Sequence, residues 1–346
     1  KAWEDAEVHF AFCFPDTYEV AMSHLGMKIL YSLFNEREDI WCERVFAPWV
    51  DFEKVMRDNG IPLFALESRD SIADFDFIGF TLQYEMCYTN VLNMLDLAGL
   101  PLKSAERKEL SPLVVAGGPC VCNAEPLAEF VDIFFLGEGE EVDLEVIDLY
   151  KKHKAKGSTK QEFLLEAAKI EGVYVPSLYD VEYNEDNTVK SINALCGAPA
   201  VVKKRIMHDM NKSYYPDKFV VPYIEIVHDR VVQEIIRVCI RGCRFCQAGY
   251  IYRPVREKSA ETVNRQAKCL CESTGYDEIS LSSLSTSDYR ELEKLLNEML
   301  DWTEDKHISL ALPSLRIDNF SDELLEKINH VRKSGLTFAP EAGTQR

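Results

Sequence analysis

Short apolar runs alternate with amphipathic stretches over residues 8–153. This alternation is typical of a parallel sheet flanked by helices. The apolar runs predict strands at residues 8–14, 43–47, 63–66, 77–82, 113–116 and 133–136. The amphipathic stretches predict helices at residues 24–35, 51–59, 85–98 and 140–153. In open sheets of this kind, ligands bind at the carboxyl ends of the strands.

Several loops follow the predicted strands and would gather at that edge of the sheet. Their candidate ligand-binding residues are Asp16, Tyr18, Thr81, Gly117, Gly118, Gly137 and Glu138. A glycine pair allows a backbone to approach a bulky ligand closely. Ordinary turns also use paired glycines, so the set of loops carries more information than any single pair.

The remaining pattern predicts a connector and a second α/β domain. Residues 155–219 predict a helix at 160–170, a hairpin from 173–183 and 189–194, and a strand at 200–207. From residue 220 onward, strands are predicted at 224–227, 232–236, 278–281, 308–312 and 336–338. Helices are predicted between them at 262–273, 288–299 and 321–328. This order is typical of a βα barrel, whose active-site residues lie at the carboxyl ends of the strands.

Composition is that of an ordinary globular protein, with 47% hydrophobic and 28% charged residues. A length of 346 residues favours two domains. No apolar run approaches the ~20 residues of a membrane span, and no signal peptide opens the chain. The 11 scattered cysteines predict a reducing, cytoplasmic environment rather than a disulfide framework.

The net charge of −19 argues against non-specific nucleic-acid binding, which requires Lys and Arg to neutralise phosphates. Basic residues nevertheless concentrate in the second half, at 203–205 and among Arg237, Arg241, Arg244, Arg253 and Arg256. They could balance an anionic cofactor or contact RNA. The first interpretation is favoured because interleaved exposed aromatics and a long basic stripe are missing from the sequence.

The strongest chemical signal is a C-x3-C-x2-C array formed by Cys239, Cys243 and Cys246. An electron-storage cluster of four irons normally takes four cysteines, whereas three leave one iron open to another ligand. One alternative is a zinc site, which would require a fourth Cys or His at a suitable spacing. The other is three reduced thiols in a loop without a metal. The flanking Gly242 and Gly249 suit a backbone wrapped closely around an inorganic core.

With Phe245 just before its last cysteine, this array resembles the signature of the radical S-adenosylmethionine (SAM) enzymes. The resemblance implies a [4Fe-4S] cluster held by the three cysteines, with SAM bound at the open iron. It also implies reductive cleavage of SAM to a 5′-deoxyadenosyl radical, with electrons from a reductant such as flavodoxin or ferredoxin. The protein would bind and orient these cofactors and exclude side reactions.

Three later segments resemble the strand ends that face SAM in that superfamily. The candidate contacts on them are Ser282, Ser283, Ser285, Ser314, Arg316 and Glu341. A serine-rich turn and a solvated glutamate are the ordinary explanations for such residues. Val238 departs from the superfamily, in which glycine tends to precede the first cysteine.

The loops of the first half resemble the N-terminal cobalamin-binding domain of one large radical SAM subgroup. Both show a glycine pair after one strand and Gly-Glu-Gly-Glu after the next, here with Pro126 and Asp132 between them. The resemblance implies a Rossmann or flavodoxin-like domain at residues 1–154, then a radical SAM barrel at 220–346. We expect that barrel to be truncated after about its fourth strand, in a fragment of a longer protein.

Domains that supply an axial histidine to cobalt carry D-x-H-x-x-G. Here Tyr18 stands in place of the histidine and Ala21 in place of the glycine, while His24 lies outside the spacing. Either cobalamin binds without that ligand, or the fold is retained without the cofactor.

Three functional hypotheses follow from the sequence. The first is cobalamin-dependent methylation of an unactivated carbon. The second is radical chemistry with a structural N-terminal domain, leading to sulfur insertion or rearrangement. The third is a cluster- and cofactor-binding module that has no turnover in this truncated form.

Overall fold

The computed structural model describes residues 2–316, 338–339 and 343–344. It contains two compact units, Lys1–Met207 and His208–Arg346. The predicted domain borders at residues 154 and 219 both fall inside these units, so the predicted connector is shared between them. No helix in the described ranges is long and apolar enough to cross a membrane.

A six-stranded sheet with the order β2-β1-β3-β4-β5-β6 is the centre of the first unit. Its strands are β1 Val8–Phe14, β2 Ile40–Phe46, β3 Phe77–Thr81, β4 Leu113–Gly117, β5 Ile133–Phe135 and β6 Val173–Tyr174. The first five run parallel, and β6 pairs antiparallel with β5. This is the flavodoxin-like strand order, which confirms the predicted α/β fold class.

Six α-helices lie in the described part of this unit, residues 2–207. They are α1 Tyr18–Ala21, α2 Leu25–Glu36, α3 Val50–Asn59, α4 Tyr88–Leu97, α5 Gly139–Lys156 and α6 Lys160–Ala167. Successive strand residues point to opposite faces of the sheet. Accordingly, Ala11 and Cys13 pack in the core with α3 and α4, whereas Phe10 and Phe12 line a cavity beside α2 and α5.

Two predicted strands of the first unit are wrong. Residues 63–66 make only an isolated bridge, Phe64 to Ser71, and Leu63 N–H donates to the carbonyl of Leu97. The run is apolar because Leu63 and Ala65 are buried under the sheet's helices, and burial alone does not specify a strand. Residues 200–207 likewise contribute a single bridge, from Arg205 to Gly137.

The predicted hairpin is present in part. Its strands are β7 Tyr179–Tyr183 and β8 Val189–Ala194, which pair antiparallel. Residues 173–174, predicted as the start of its first strand, instead form β6 at the edge of the large sheet.

The second unit repeats the βα pattern. Its strands are β9 Val231–Glu234, β10 Ile236–Arg237, β11 Arg256–Glu257, β12 Glu278–Ser282, β13 Ser309–Ala311, β14 Leu315–Arg316 and β15 Phe338–Ala339. Its helices are α7 Ala248–Ile251, α8 Ala260–Thr274 and α9 Leu292–Thr303. Strands β9, β12 and β13 form a parallel sheet in the order β13-β12-β9, and β14 pairs with β15.

Residues 224–227, predicted as a strand, are irregular in the structure. The predicted helix at 321–328 and the candidate residue Glu341 lie outside the described residues.

Candidate functional site

The three cysteines of the array lie in the loop between β10 and α7. None forms a disulfide, and each is partly exposed. The backbone N–H of Cys246 donates to the carbonyl of Cys243 at 3.1 Å, which closes a turn. The N–H of Arg241 points at Cys239 Sγ, 3.3 Å away. The loop therefore offers accessible thiols and a backbone donor to sulfur, in keeping with the chemistry of a cluster ligand set.

The three sulfur atoms do not form a group that could hold a metal ion in this structure. Within the described ranges, no three Cys, His, Asp or Glu side chains are grouped as a metal site. The assignment of Cys239, Cys243 and Cys246 as cluster ligands therefore stays a prediction. Phe245, the aromatic residue of the array, is 81% exposed.

Val238 enters this loop with a left-handed backbone, at φ +80°. A β-branched residue in this region is a steric outlier, and glycine would adopt it without strain. The side chain of Val238 is nevertheless buried. The position where the sequence departs from the superfamily is thus one where the backbone demands a glycine-like conformation.

An ion pair joins the cysteine loop to the loop after β12. Arg241 donates to Asp288 from Nε at 2.9 Å and from Nη2 at 2.6 Å. Ser285 Oγ donates to the same carboxylate at 2.7 Å. Chiefly through the hydrogen bond from Arg241, this arrangement lowers the pKa of Asp288.

The structure brings most of the serine-rich segment together with residues 313–316. Ser283 Oγ lies 2.8 Å from Thr286 Oγ1, and Thr286 N–H donates to the carbonyl of Ser314. Arg316 N–H donates to Ser287 Oγ at 3.3 Å.

The serine candidates of this segment differ in their partners. Ser282 ends β12, where it pairs with Glu234 of β9. The hydroxyls of Ser283 and Ser285 both take part in hydrogen bonds within the loop. Contact of any of these residues with SAM stays a prediction.

Asp16 and Tyr18 follow β1 in the first unit. Asp16 Oδ1 accepts a hydrogen bond from Thr17 N–H at 2.7 Å, and its Oδ2 accepts one from the Tyr84 hydroxyl. That hydrogen bond is the main reason why the pKa of Tyr84 rises to about 12. The ring of Tyr18 lies edge-on to Phe46, with centroids 5.2 Å apart.

At two of the candidate positions, the backbone conformation and the close packing of neighbouring backbone require glycine. Gly118 has φ +98°, and a Cβ there would lie 2.7 Å from the Leu82 carbonyl oxygen. Gly137 has φ +109°, and its Cβ would lie 2.1 Å from the Arg205 carbonyl oxygen. The absence of a side chain at these two positions therefore makes room for neighbouring backbone. The sequence had predicted a different role, the close approach of a ligand.

Gly117 has open space around it, since the nearest atom to its Cβ position would be 3.9 Å away. Glu138 is engaged with its own chain, because its Oε2 accepts a hydrogen bond from Met207 N–H at 2.5 Å.

A cavity of about 160 Å³ lies between the sheet and helices α2 and α5. Gly117, Gly137 and Thr81 line it on the sheet side, and Thr81 Oγ1 accepts a hydrogen bond from Gln83 at 2.6 Å. The polar residues contributed by the helical side are His24 and Asp143. With Gly118, which also lines it, four of the predicted ligand-binding residues therefore share one cavity.

Asp143 was not among the candidates from sequence. It is buried, its Oδ1 has no hydrogen-bond partner, and burial with Glu140 nearby raises its pKa well above the ordinary value. The sequence contains a pattern from which the burial of Asp143 could have been predicted. Asp143 shares one helical stripe with the buried Val146, Ile147 and Tyr150, at spacings of three, four and seven. An acidic residue in an apolar stripe is uncommon without a partner.

The fold and these loops define an α/β protein with an N-terminal parallel-sheet domain followed by a radical SAM region. The chain belongs to the radical SAM superfamily. Residues 234–346 match the superfamily model, and residues 26–176 match the model of the N-terminal region of radical SAM proteins. The cysteine loop lies inside the first of these matches, and the loops with Thr81, Gly117 and Gly137 lie inside the second.

Known proteins resemble the chain over most of its length. An uncharacterised protein of Methanocaldococcus jannaschii is 31% identical over 293 residues, covering 84% of this chain and 55% of the relative. The radical SAM methyltransferase TsrM from Kitasatospora setae, solved with cobalamin and a [4Fe-4S] cluster, has a TM-score of 0.55 at 11% identity. That likeness covers 93% of this chain and 57% of TsrM.

A second TsrM structure, with tryptophan substrate and a SAM analogue, gives a TM-score of 0.52 at 11% identity. At this identity the likeness shows the fold alone. The chain spans about half the length of the relatives it matches.

Proposed function

We propose that the protein is a radical SAM enzyme, in which Cys239, Cys243 and Cys246 hold a [4Fe-4S] cluster that cleaves SAM reductively. The main support for this proposal is the accessible three-cysteine loop, which lies inside the region that matches the superfamily model. When bound, the cluster would supply an electron, received from a reductant such as flavodoxin or ferredoxin, and an open coordination position. The task of the chain is to bind and orient SAM and to keep water and other quenchers away.

The Arg241–Asp288 pair supports this role. It fixes the cysteine loop against the loop after β12, on which Ser283 and Ser285 lie. The backbone N–H of Arg241 also points at Cys239 Sγ, 3.3 Å away, and a hydrogen bond to a thiolate favours its charged form.

We further propose that the first unit binds cobalamin and that the outcome is methyl transfer to carbon. The support is the likeness of the fold to TsrM, the Gly117 loop with open space, and the cavity beneath it. Tyr18 offers no imidazole. His24 Nδ1 already accepts a hydrogen bond from Met27 N–H at 3.1 Å. Binding would therefore take place without a histidine ligand from the loop after β1.

A specific observation favours the alternative, in which the N-terminal domain is structural. Gly118, Gly137 and Glu138 all have partners within the chain that explain them without a cofactor. In that case the radical chemistry would lead to sulfur insertion or rearrangement.

Reconstitution of the full-length protein separates these possibilities. The protein is loaded anaerobically with iron and sulfide, and then given SAM and a reductant with or without methylcobalamin. Release of 5′-deoxyadenosine supports radical cleavage, and S-adenosylhomocysteine formed only with methylcobalamin supports methyl transfer. An intact cluster spectrum without 5′-deoxyadenosine would contradict the proposal.

Two cysteine variants test the ligand assignment. Cys243→Ala should abolish the absorbance and electron paramagnetic resonance (EPR) signals of the cluster. The exposed Cys122 of the first unit offers a matched control, since Cys122→Ala should leave both signals unchanged. Survival of the cluster in Cys243→Ala would refute the assignment.

A further inference from the structure

Another cavity of the first unit, of about 710 Å³, lies at the amino edge of the sheet. Part of its wall comes from residues 103–105 and 107–108, which precede β4, and from residues 128–129, which precede β5. The loops with Gly117 and Gly137 follow strands, at the carboxyl edge where ligands of such sheets ordinarily bind. The two cavities share no lining residue, so this one needs an explanation of its own.

The wall of this cavity contains a buried cluster with more positive than negative charge. Arg107 and Lys160 line the cavity, and both pair with the buried carboxylate of Asp132, at 3.3 and 2.7 Å. Despite this pairing, burial lowers the pKa of Lys160, and repulsion from Arg107 and Lys108 adds to that effect. Positive charge without a full complement of negative charge is costly to bury, and a bound anion would offset that cost.

The guanidinium group of Arg107 has one donor without an acceptor. Such a group carries five N–H donors. Four of them have acceptors, which are the carbonyls of Pro101, Leu102 and Phe130 and the carboxylate of Asp132. The fifth, on Nε, is buried and has no acceptor among the described residues. An oxygen atom of a ligand would satisfy it, and a buried donor left unsatisfied is unfavourable.

The acidic residues that line the cavity do not compensate these cations. Glu129 pairs with Lys103 at 2.9 Å, and Glu125 accepts a hydrogen bond from the hydroxyl of Tyr174. Lys108 lines the cavity, is exposed, and forms no ion pair within the described part of the chain. The cavity therefore offers a cation to an anionic ligand although the chain as a whole has a net charge of −19.

Tyrosine rings form another part of the wall. Tyr174 of β6 and Tyr179 of β7 have ring centroids 5.0 Å apart, and Tyr183, at the end of β7, is 59% exposed. Such rings offer an apolar face on which a flat ligand group can stack. The volume of about 710 Å³ lies within the ~300–1,000 Å³ of small-molecule sites.

We propose that this cavity binds a small molecule in which an oxyanion, a phosphate or a carboxylate, is attached to an aromatic ring. Arg107 and Lys108 bind the oxyanion, and Tyr183 packs against the ring. The site is independent of the cluster and of cobalamin, because no cysteine of the array and no residue of the cavity under Gly117 belongs to it.

Ligand-detected NMR titration of the full-length protein tests the site with three probes. Phenyl phosphate and benzoate each carry an oxyanion on a ring, and phenol carries the ring without the anion. At least one of the two anions should bind tenfold or more tightly than phenol, which is the value of one hydrogen bond to a charged group. The anion that binds more tightly identifies the oxyanion. Equal binding of all three probes, or binding of none, would overturn the proposal.

Two variants at exposed positions separate the contribution of charge from that of the ring. Lys108→Gln should weaken binding of the tighter anion about tenfold and leave phenol unchanged. Tyr183→Ala should weaken all three probes by the same factor, about fivefold, through the lost ring contact. Lys152, an exposed lysine of α5 outside the cavity, is the matched control, and Lys152→Gln should change no affinity.

Arg107→Lys keeps the charge and removes the Nε donor, so it should weaken the anion about tenfold in a folded protein. Circular dichroism establishes whether each variant is folded. If Arg107→Lys does not fold, Lys108→Gln decides the outcome. Unchanged affinity for the anion in Lys108→Gln, or the same loss in Lys152→Gln, would overturn the site.

Discussion

Arg241 and Asp288 are 47 residues apart in the chain and are joined by two hydrogen bonds, of 2.9 and 2.6 Å. The Asp288 carboxylate is almost completely buried, whereas Arg241 is partly exposed. Because Arg241 lies between two predicted cluster ligands, the pair couples the position of the cysteine loop to that of the loop after β12.

Asp288→Asn should weaken this coupling. A hydrogen bond to a charged group contributes ~1.5–3 kcal/mol. Because Arg241 is partly exposed, we expect a loss of about 1–2 kcal/mol in the free energy of unfolding measured with urea. The EPR spectrum of the reconstituted cluster with SAM should also change, since a purely structural loss elsewhere would leave it alone.

The exposed pair Lys294–Glu261 provides the control in the same unit. Glu261→Gln should cost less than about 1 kcal/mol, as surface ion pairs do, and should leave the EPR spectrum unchanged. An Asp288→Asn protein with the wild-type spectrum and stability would show that the pair does not position the loop.

Val238→Gly should be unusually well tolerated. A non-glycine residue in the left-handed region costs of order 1–3 kcal/mol, and glycine removes that strain. Loss of a buried valine side chain costs a similar ~1.5–3 kcal/mol. The two effects should cancel to within about 1 kcal/mol in urea unfolding.

The matched variant is Val231→Gly, in strand β9. Val231 is fully buried and is not among the residues with positive φ, so no strain is relieved there. We expect a loss of about 2–4 kcal/mol, from the side chain and from glycine in a strand. Equal losses in the two variants would contradict a strained Val238.

Asp132→Asn should destabilise the first unit strongly. The buried carboxylate of Asp132 pairs with Lys160 at 2.7 Å and Arg107 at 3.3 Å, and it accepts a hydrogen bond from Val114 N–H. Removing the one negative charge leaves two buried cations uncompensated. Breaking a buried ion pair in this way costs about 3–5 kcal/mol, measurable as a lower urea midpoint.

Glu129→Gln is the corresponding surface change, since the Lys103–Glu129 pair is exposed. Its effect should stay below about 1 kcal/mol. A small effect in both variants would show that the Asp132 cluster does not stabilise the unit.

The pH dependence of stability should show the titration of His24. Burial is the main reason why the pKa of His24 is lowered from 6.5 to about 4. Between pH 6.5 and about 4 the unfolded chain therefore binds a proton that the folded chain does not. The contribution of His24 to the free energy of unfolding is fully present above pH 6.5. It falls with decreasing pH in this window, by ~1.4 kcal/mol per pH unit at most.

His24→Asn isolates this contribution. Asparagine can still accept the hydrogen bond at the start of α2 but does not titrate. The difference between the two stability profiles should shrink or reverse as the pH falls from 6.5 towards 4. Parallel profiles across that window would mean that His24 keeps its ordinary pKa in the fold.

Local pattern was sufficient for the elements that bury a whole strand or one face of a helix. The continuous apolar runs of β1 and β3 and the amphipathic stripe of α2 lie close to their predicted bounds. The same reasoning failed at residues 63–66, because that apolar run donates separate hydrogen bonds to Leu97 of α4, to Asp70 and to Arg44 of β2 and forms no continuous ladder with one strand. Apolarity reports burial, and only the backbone partners decide whether a buried segment is a strand.

The sequence by itself determined the α/β class and contained the C-x3-C-x2-C array that predicts a cluster, because both depend on residue type at short spacing. Only the tertiary structure showed that Gly118 and Gly137 make room for neighbouring backbone, and that Arg241 reaches Asp288. It alone placed Asp143 beside the cavity under Gly117. These relationships join residues far apart in the chain. Their distances and burial arise from packing, which no local pattern contains.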